Sequence, residues 1–258
     1  LVGGFGMYRS GWRGPRWLER WPEPSPEFGP WRVLEPGIEY TRAHLDLPRP
    51  IRAHALRIDL SRPDLEIVVP RAEYAGAGEV HAEWPMTWLR RHRLRAVINA
   101  TPFNPAPLLP GGSTRLLGLA ISNGERWSEP PGNLDMLVVT ADDTVRLLEA
   151  RLPVGDAREG AGGFLIIRRG EVNLGEKSVL DATTVVGVSA DRRWLIWLVV
   201  DGGQPGYSEG VTQYEAAELI GQLGASDALR MDGGASSALA VADGNWIRGG
   251  RVLNRSRN

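Results

Sequence analysis

The sequence predicts an α+β domain: a mixed, largely antiparallel, curled β-sheet with few helices. Three observations carry that expectation. Short apolar runs recur along the chain with turn residues between them. Glycine and proline are abundant, at 32 and 19 of 258 residues. Only two stretches have helical spacing, Glu83–His92 and Thr212–Leu223.

The totals narrow the class further. With 258 residues, 42% apolar and 24% charged, the chain has the composition of a globular protein, either one large domain or one domain with an N-terminal extension. A net charge of -1 and the lack of any Lys/Arg stripe argue against a nucleic-acid partner. The absence of cysteine excludes disulfides, thiolate metal sites and a cysteine nucleophile. No apolar run reaches the ~18 residues of a membrane span. The chain starts at Leu1 rather than Met, so a trimmed targeting segment is expected, and membrane contact is expected only through such a segment.

Taken in order, residues 1–35 form a Trp/Pro/Arg-rich N-terminal arm, with Trp12, Trp17, Trp21 and Trp31 in no regular period. The arm is expected to dock on the domain of residues 36–258; a juxtamembrane segment or a sugar-binding lip is the other reading. Ile51–Leu60 and Leu65–Val69 read as strands across a turn at Pro63. Leu94–Ile98 reads as a buried strand. Leu116–Ile121 and Arg126-Trp127 flank Asn123-Gly124, a hairpin signal. Leu134–Thr140 pairs with Val145–Leu148, and Gly163–Arg168 forms a further strand. Thr183–Ser189 and Trp194–Val200 make a hairpin across residues 190–193. Thr212 and Glu215 have capping-box spacing, and Gly224 marks the end of the helix they start. Leu239–Val241 and Trp246-Ile247 flank a last turn at residues 243–245.

The chemistry gathers at two places. The run Trp194–Val200 ends in Asp201-Gly202-Gly203, and the run Ala228–Met231 ends in Asp232-Gly233-Gly234. Two strands that stop at such acidic elbows bring two carboxylates to one rim, where a rigid sheet holds loop residues in place. The four histidines lack HExxH spacing, and neither a GxSxG elbow nor a phosphate-binding loop is present. What remains is carboxylate, amide and hydroxyl chemistry, which suits sugars. Cleaving a glycosidic bond takes a proton for the leaving oxygen and a group to attack or to activate water.

The stretch from Asp201 to Ser237 resembles the signature of the phosphodiester glycosidase family, many of whose bacterial members are described as exopolysaccharide-related. Asp201-Gly202 is similar to the family's VDG element, and Ser208, Gly210 and Thr212 to its Y-S-x-G-x-T loop. Glu215 falls on its helix glutamate, Asp232-Gly233-Gly234 with Ser236-Ser237 on its DGGGSS loop, Asn99 on an INGGFF-like strand end, and Asn254 on a terminal Asn. The resemblance spans roughly three fifths of the chain. It implies a phosphodiester-glycosidase-like fold, a glycan substrate, typically a sugar-1-phosphodiester, and a periplasmic, secreted or membrane-anchored extracytoplasmic location. Three positions depart from the pattern: Thr183 stands where an arginine is expected, the family's VDGR becomes Asp201-Gly202-Gly203 followed by Gln204, removing another, and Arg230 stands where an asparagine is expected. Losing two guanidinium forks, the natural partners of phosphate, shifts the expectation toward a neutral glycosidic bond.

By this reading Asp232, Asp201 and Glu215 are the candidate catalytic residues. Asn99, Ser208, Thr212, Arg230, Gly233, Gly234, Ser236, Ser237 and Asn254 are the candidate substrate-binding residues. Each has a plainer explanation: turn aspartates, a capping box for Thr212 and Glu215, and local ties for Asn99 and the serines. No cofactor is expected. A divalent cation held by Asp201 and Asp232, making a phosphodiesterase, is a further reading. A non-catalytic glycan-binding or exopolysaccharide-assembly protein on the same scaffold is another. The discriminating feature is whether Thr183, Gly203 and Arg230 line one open pocket with both aspartates. An Arg230–Asp232 ion pair filling that pocket would favour binding or inactivity.

Overall fold

The computed structural model describes residues 25–71, 74–76, 79–106, 111–129, 134–173, 179–243 and 250–255. In chain order the strands begin with β1 (Arg32–Glu35), β2 (Ile38–Leu45), β3 (Ile51–Asp59), β4 (Tyr74–Gly76) and β5 (Glu79–His81). After helix α1 (Pro85–Arg91) come β6 (Ala96–Ile98), β7 (Phe103–Asn104), β8 (Ser113–Leu116), β9 (Ala120–Ser122), β10 (Glu125–Ser128), β11 (Asp135–Thr140) and β12 (Val145–Leu148). The long β13 (Ala157–Arg168) follows, then β14 (Glu171–Val172), β15 (Thr183–Ser189) and β16 (Trp194–Val200). Helix α2 (Gln213–Gln222), β17 (Ala225–Arg230), a 3₁₀ turn (Gly234–Ser236), β18 (Leu239–Ala242) and β19 (Gly250–Val252) complete the order.

A 12-stranded sheet runs β1-β2-β3-β16-β15-β17-β13-β11-β12, with β9, β10 and β14 joined at its side. Two small sheets, β19-β18-β6 and β4-β5-β8-β7, accompany it. Every described strand pairing is antiparallel.

β15 sits at the centre, and all seven of its residues are buried because both faces of the sheet are covered. Val185 faces a core shared with Ala216, Ala217, Leu219 and Ile220 of α2. Val186 and Val188, one residue out of phase, face a second core with Leu137, Val139 and Leu229. Thr212 and Glu215 close a capping box, and Gly224 ends the helix at φ +101°.

Several expectations are revised. Leu65–Val69 is not a strand: the Val69 N–H donates to the Glu159 carboxylate at 2.8 Å instead of to a neighbouring strand. Leu116 and Ile121 lie on separate strands, β8 and β9, with bends at residues 117–118. β18 pairs with Gly250–Val252; Trp246 and Ile247 lie outside the described residues, as do Trp12, Trp17 and Trp21. β2, which alternates poorly, goes unread in the sequence yet pairs with β3 along its whole length. Within the expected arm, residues 32–35 pair with β2 as the edge strand, and Trp31 packs on the core with Arg57 over its ring.

Candidate active site

Topology sets the site before any side chain does. β16 and β17 each pair antiparallel with β15, so they run parallel to each other and end at one rim, where β15 begins. With ~4.8 Å between neighbouring strands, the two acidic elbows stand about 10 Å apart across the start of β15. The residues at that start, Asp181 and Ala182, therefore lie between them.

The elbows close tightly on these two residues. A Cβ added to Gly202 would fall 2.2 Å from the Ala182 backbone nitrogen, and one added to Gly210 would fall 2.4 Å from the Asp181 carbonyl oxygen. The glycines thus admit the Asp181–Ala182 backbone itself. Asp181 and Val211 exchange backbone hydrogen bonds at 3.2 and 3.0 Å, and the Gly234 N–H donates to the Ala182 carbonyl at 2.9 Å.

On the Asp232 side a cavity of about 310 Å³ opens. Asp181, Thr183, Gln213, Arg230 and Asp232 line it, together with the Gly233-Gly234 backbone and the apolar Val179, Ala182 and Val211. Arg230 pairs in register with Val185, which puts it diagonal to Thr183 on the same sheet face. Its guanidinium lies over the Phe164 ring at 4.6 Å. Among the described residues it makes no ion pair within 4 Å, and its buried Nε has no hydrogen-bond partner. Burial pulls the Arg230 guanidinium below its ordinary pKa, against the pull of Asp232 and Asp181.

Asp232 is half-buried. The nearby Ser236 hydroxyl, Gly233 N–H and Arg230 charge favour its ionised form. Burial outweighs them and holds its pKa above the usual carboxylate range.

Asp201 has a different fate. It is 1% exposed and does not line the cavity. One carboxylate oxygen accepts from Asn254 Nδ2 at 3.0 Å, and the other from the Tyr207 hydroxyl at 3.1 Å and the Arg255 N–H at 3.0 Å. His54 Nε2 stands 3.8 Å away. Burial raises the Asp201 pKa; the Tyr207 phenol is pushed up to about 12 by burial and by this carboxylate, and burial drops His54 to about 4. Both Asp201 oxygens are thus taken up by donors of the framework. The described residues hold no cluster of three or more His, Asp or Glu side chains arranged for a metal.

Most other candidates belong to the framework. Asn99 ties down the Asp232–Ala238 loop: its Nδ2 donates to the Asp232 carbonyl at 2.9 Å, and its Oδ1 accepts from Thr184 and the Ala238 N–H. Asn254 bonds Asp201, the Ser237 carbonyl and the Leu239 N–H. The Ser208 hydroxyl is buried between the Asp201 carbonyl and the Arg52 N–H. Glu215 spends one oxygen on the Thr212 N–H and the other on Arg49. Ser237 Oγ is buried without a partner among the described residues. Of the candidates, Arg230, Asp232, Gly233 and Gly234 line the cavity, and Ser236 stands near the Asp232 carboxyl. Gly203 does not line it. Asp181 and Gln213 went unread in the sequence. The strand register gave a signal for Asp181, since the position before a strand that starts opposite Val200 must fall at the same rim.

Fold and cavity together define a β-rich domain with two carboxylates and a guanidinium at one sheet rim. The phosphodiester glycosidase family model matches residues 93–258, more than half of the sequence, and the chain belongs to that family. Solved structures share the fold. The catalytic domain of zebrafish N-acetylglucosamine-1-phosphodiester alpha-N-acetylglucosaminidase, in a form auto-inhibited by its pro-peptide, aligns with TM-score 0.63 and 17% identity over 84% of this chain and 78% of that one. A hypothetical protein from Synechocystis aligns with TM-score 0.62 and 17% identity over 88% of this chain, which spans 61% of that longer one. A candidate exported protein from Burkholderia pseudomallei K96243 aligns with TM-score 0.57 and 14% identity, covering 79% and 70%. No curated protein matches the sequence.

Proposed function

We propose that this protein hydrolyses a glycosyl bond to an anionic leaving group, a sugar-1-phosphodiester in the first instance, within an extracytoplasmic glycan. The observation that carries the reading is Arg230. A cavity-lining guanidinium, with a buried Nε and, among the described residues, no carboxylate in ion-pair range, sits beside a half-buried carboxyl of raised proton affinity. A half-buried guanidinium with an unpaired buried Nε gains from a ligand that completes it, and a planar guanidinium fits phosphate oxygens in pairs. The first turn of α2 also borders the cavity through Gln213, and a helix N-terminus favours negative charge. Arg230 thus stands in for the guanidinium that Thr183 does not supply.

In this scheme Arg230 takes up the charge that develops on the leaving phosphate. Asp232, protonated over a wider pH range than an ordinary aspartate, delivers a proton to the leaving oxygen. The Gly233-Gly234 backbone lets the substrate come close to the chain. Asp201, Asn99 and Asn254 act through the loop they hold. The open Arg230–Asp232 arrangement favours turnover over the glycan-binding alternative. The extracytoplasmic location is inferred from the family and from the candidate exported relative; no helix among the described residues is long and apolar enough to cross a membrane.

The test is a product assay on GlcNAc-1-phosphodiesters and neutral oligosaccharides, with and without chelator, comparing the wild type with Asp232→Asn. Release of free sugar that disappears in the variant supports the reading. Glycan binding without turnover on any substrate points to the binding protein, and chelator-sensitive turnover points to the phosphodiesterase.

A further inference from the structure

We infer that Asp181 is the second catalytic carboxylate of this site, the group that takes the proton from the water attacking the anomeric carbon. The inference rests on the glycosidase reading above and assigns the partner that Asp232 needs. Cleavage with one carboxyl as acid leaves the water unactivated. Among the described residues, Asp181 and Asp232 are the carboxylates that line the cavity. Asp201 and Glu215, the other acidic candidates at the rim, do not line it.

The position of Asp181 is built with care. Its backbone is gripped by Val211 on one side and by the two glycine-rich elbows on the others. Its Oδ1 accepts the Ala182 N–H at 2.8 Å, which fixes the side-chain rotamer. Its Oδ2 is thereby directed over the Asp232 loop: a Cβ at Gly234 would meet it at 3.4 Å. Gly234 itself has φ +61°, a conformation that favours glycine and sets the loop in van der Waals reach of that oxygen. Such a cradle is what a group required to act at one fixed point needs.

The step balances without a cofactor. The water oxygen forms its bond to the anomeric carbon as the bond from that carbon to the leaving oxygen breaks. The bonding pair goes to the leaving oxygen, where Arg230 and the Asp232 proton receive it, and the water proton passes to the Asp181 carboxylate.

Asp181→Ala and the isosteric Asp181→Asn test the assignment, with a nitrophenyl phosphodiester of the sugar as substrate and formate or azide as an external anion. The expected result is a loss in kcat of about 10³-fold in both variants, with unchanged melting temperature and recovery of at least roughly tenfold in Asp181→Ala on adding the anion. The step also predicts that Asp181→Asn slows good and poor leaving groups alike, whereas Asp232→Asn slows an alkyl glycoside far more than a phosphodiester. A kcat within about threefold of wild type overturns the assignment. So does a loss that no anion rescues in a variant that melts normally, since Asp181 would then only shape the loop. If the wild type itself turns over nothing, the glycosidase reading fails instead, and the two failures are told apart by that control.

Discussion

The two Asp-Gly-Gly elbows look alike in the sequence and do opposite work. At 201 the aspartate turns inward and meets Asn254, Tyr207 and the Arg255 backbone, so its charge is consumed in holding the C-terminal segment against the sheet. At 232 the aspartate stands on a cavity wall beside a guanidinium that nothing in the described structure pairs. The difference lies in the residue two positions earlier on the same strand face. Before Asp201 it is Val199, which is fully buried in the core; before Asp232 it is Arg230, which lines the cavity. An acidic strand end is therefore not a site in itself. What precedes it decides whether the loop closes on the protein or opens to a ligand.

Breaking the comparison should give a kinetic defect on one side and a stability defect on the other. The largest effect is expected for Asp232→Asn, a kcat loss of about 10³-fold with the melting temperature shifted by no more than a few degrees. Steady-state kinetics on the phosphodiester substrate, together with calorimetry, check both halves. Asp201→Ala should do the reverse. Stripping a buried carboxylate from three donors is expected to cost about 3 kcal/mol, a fall in melting temperature of roughly 6–12 °C. A variant that melts normally and has lost turnover would erase the contrast between the elbows. Arg230→Met comes next, with KM for an anionic substrate raised about 100-fold and KM for a neutral glycoside almost unchanged. Equal losses on both substrates would remove the guanidinium from the leaving-group side.

The smallest effect sharpens the 201 side and appears only in acid. His54 is buried neutral with its pKa at about 4, against 6.5 in the unfolded chain. Between those values the unfolded state binds the extra proton, so stability falls as pH drops through the window. About 2 kcal/mol should be lost between pH 7 and pH 5. Asp201, raised by burial, contributes with the opposite sign, losing stability as pH climbs from the ordinary carboxylate range toward its folded value. Comparing urea unfolding of wild type and His54→Gln across pH isolates the histidine, and an unchanged slope in the variant would remove it as the source.

Much of the fold was legible because its signals are local. The β15–β16 hairpin, the β9–β10 turn with Asn123 at φ +51° and Gly124 at φ +78°, and the α2 capping box were all read from neighbouring residues. The failures share a cause. Leu65–Val69 is apolar enough for a strand, but its backbone is satisfied by Glu159, 90 residues away from Val69. Glu215 was weighed as an acid, but Arg49 approaches it from a distant loop. The lining of the cavity was half visible. Asp232, Arg230 and the glycines came from motif and spacing, whereas Asp181 belongs to no motif and becomes prominent only once β15 is placed between β16 and β17. The burial of Asp201 was hidden in the same way, since Asn254 carries no local mark of its partner.

That last contact also bears on how the chain comes to be folded during synthesis. Asn254 follows Asp201 by 53 residues. At ~5–20 residues per second the ribosome needs on the order of 3–10 s to supply the amide after the aspartate has been added. The β15–β16 hairpin is complete well before then, so the nascent sheet passes through a stage in which its central carboxylate has no amide to meet. The Asp232–Ala238 loop, whose far end Asn254 also holds through Ser237 and Leu239, stays unfastened for the same interval. Both elbows are thus fastened by one late residue.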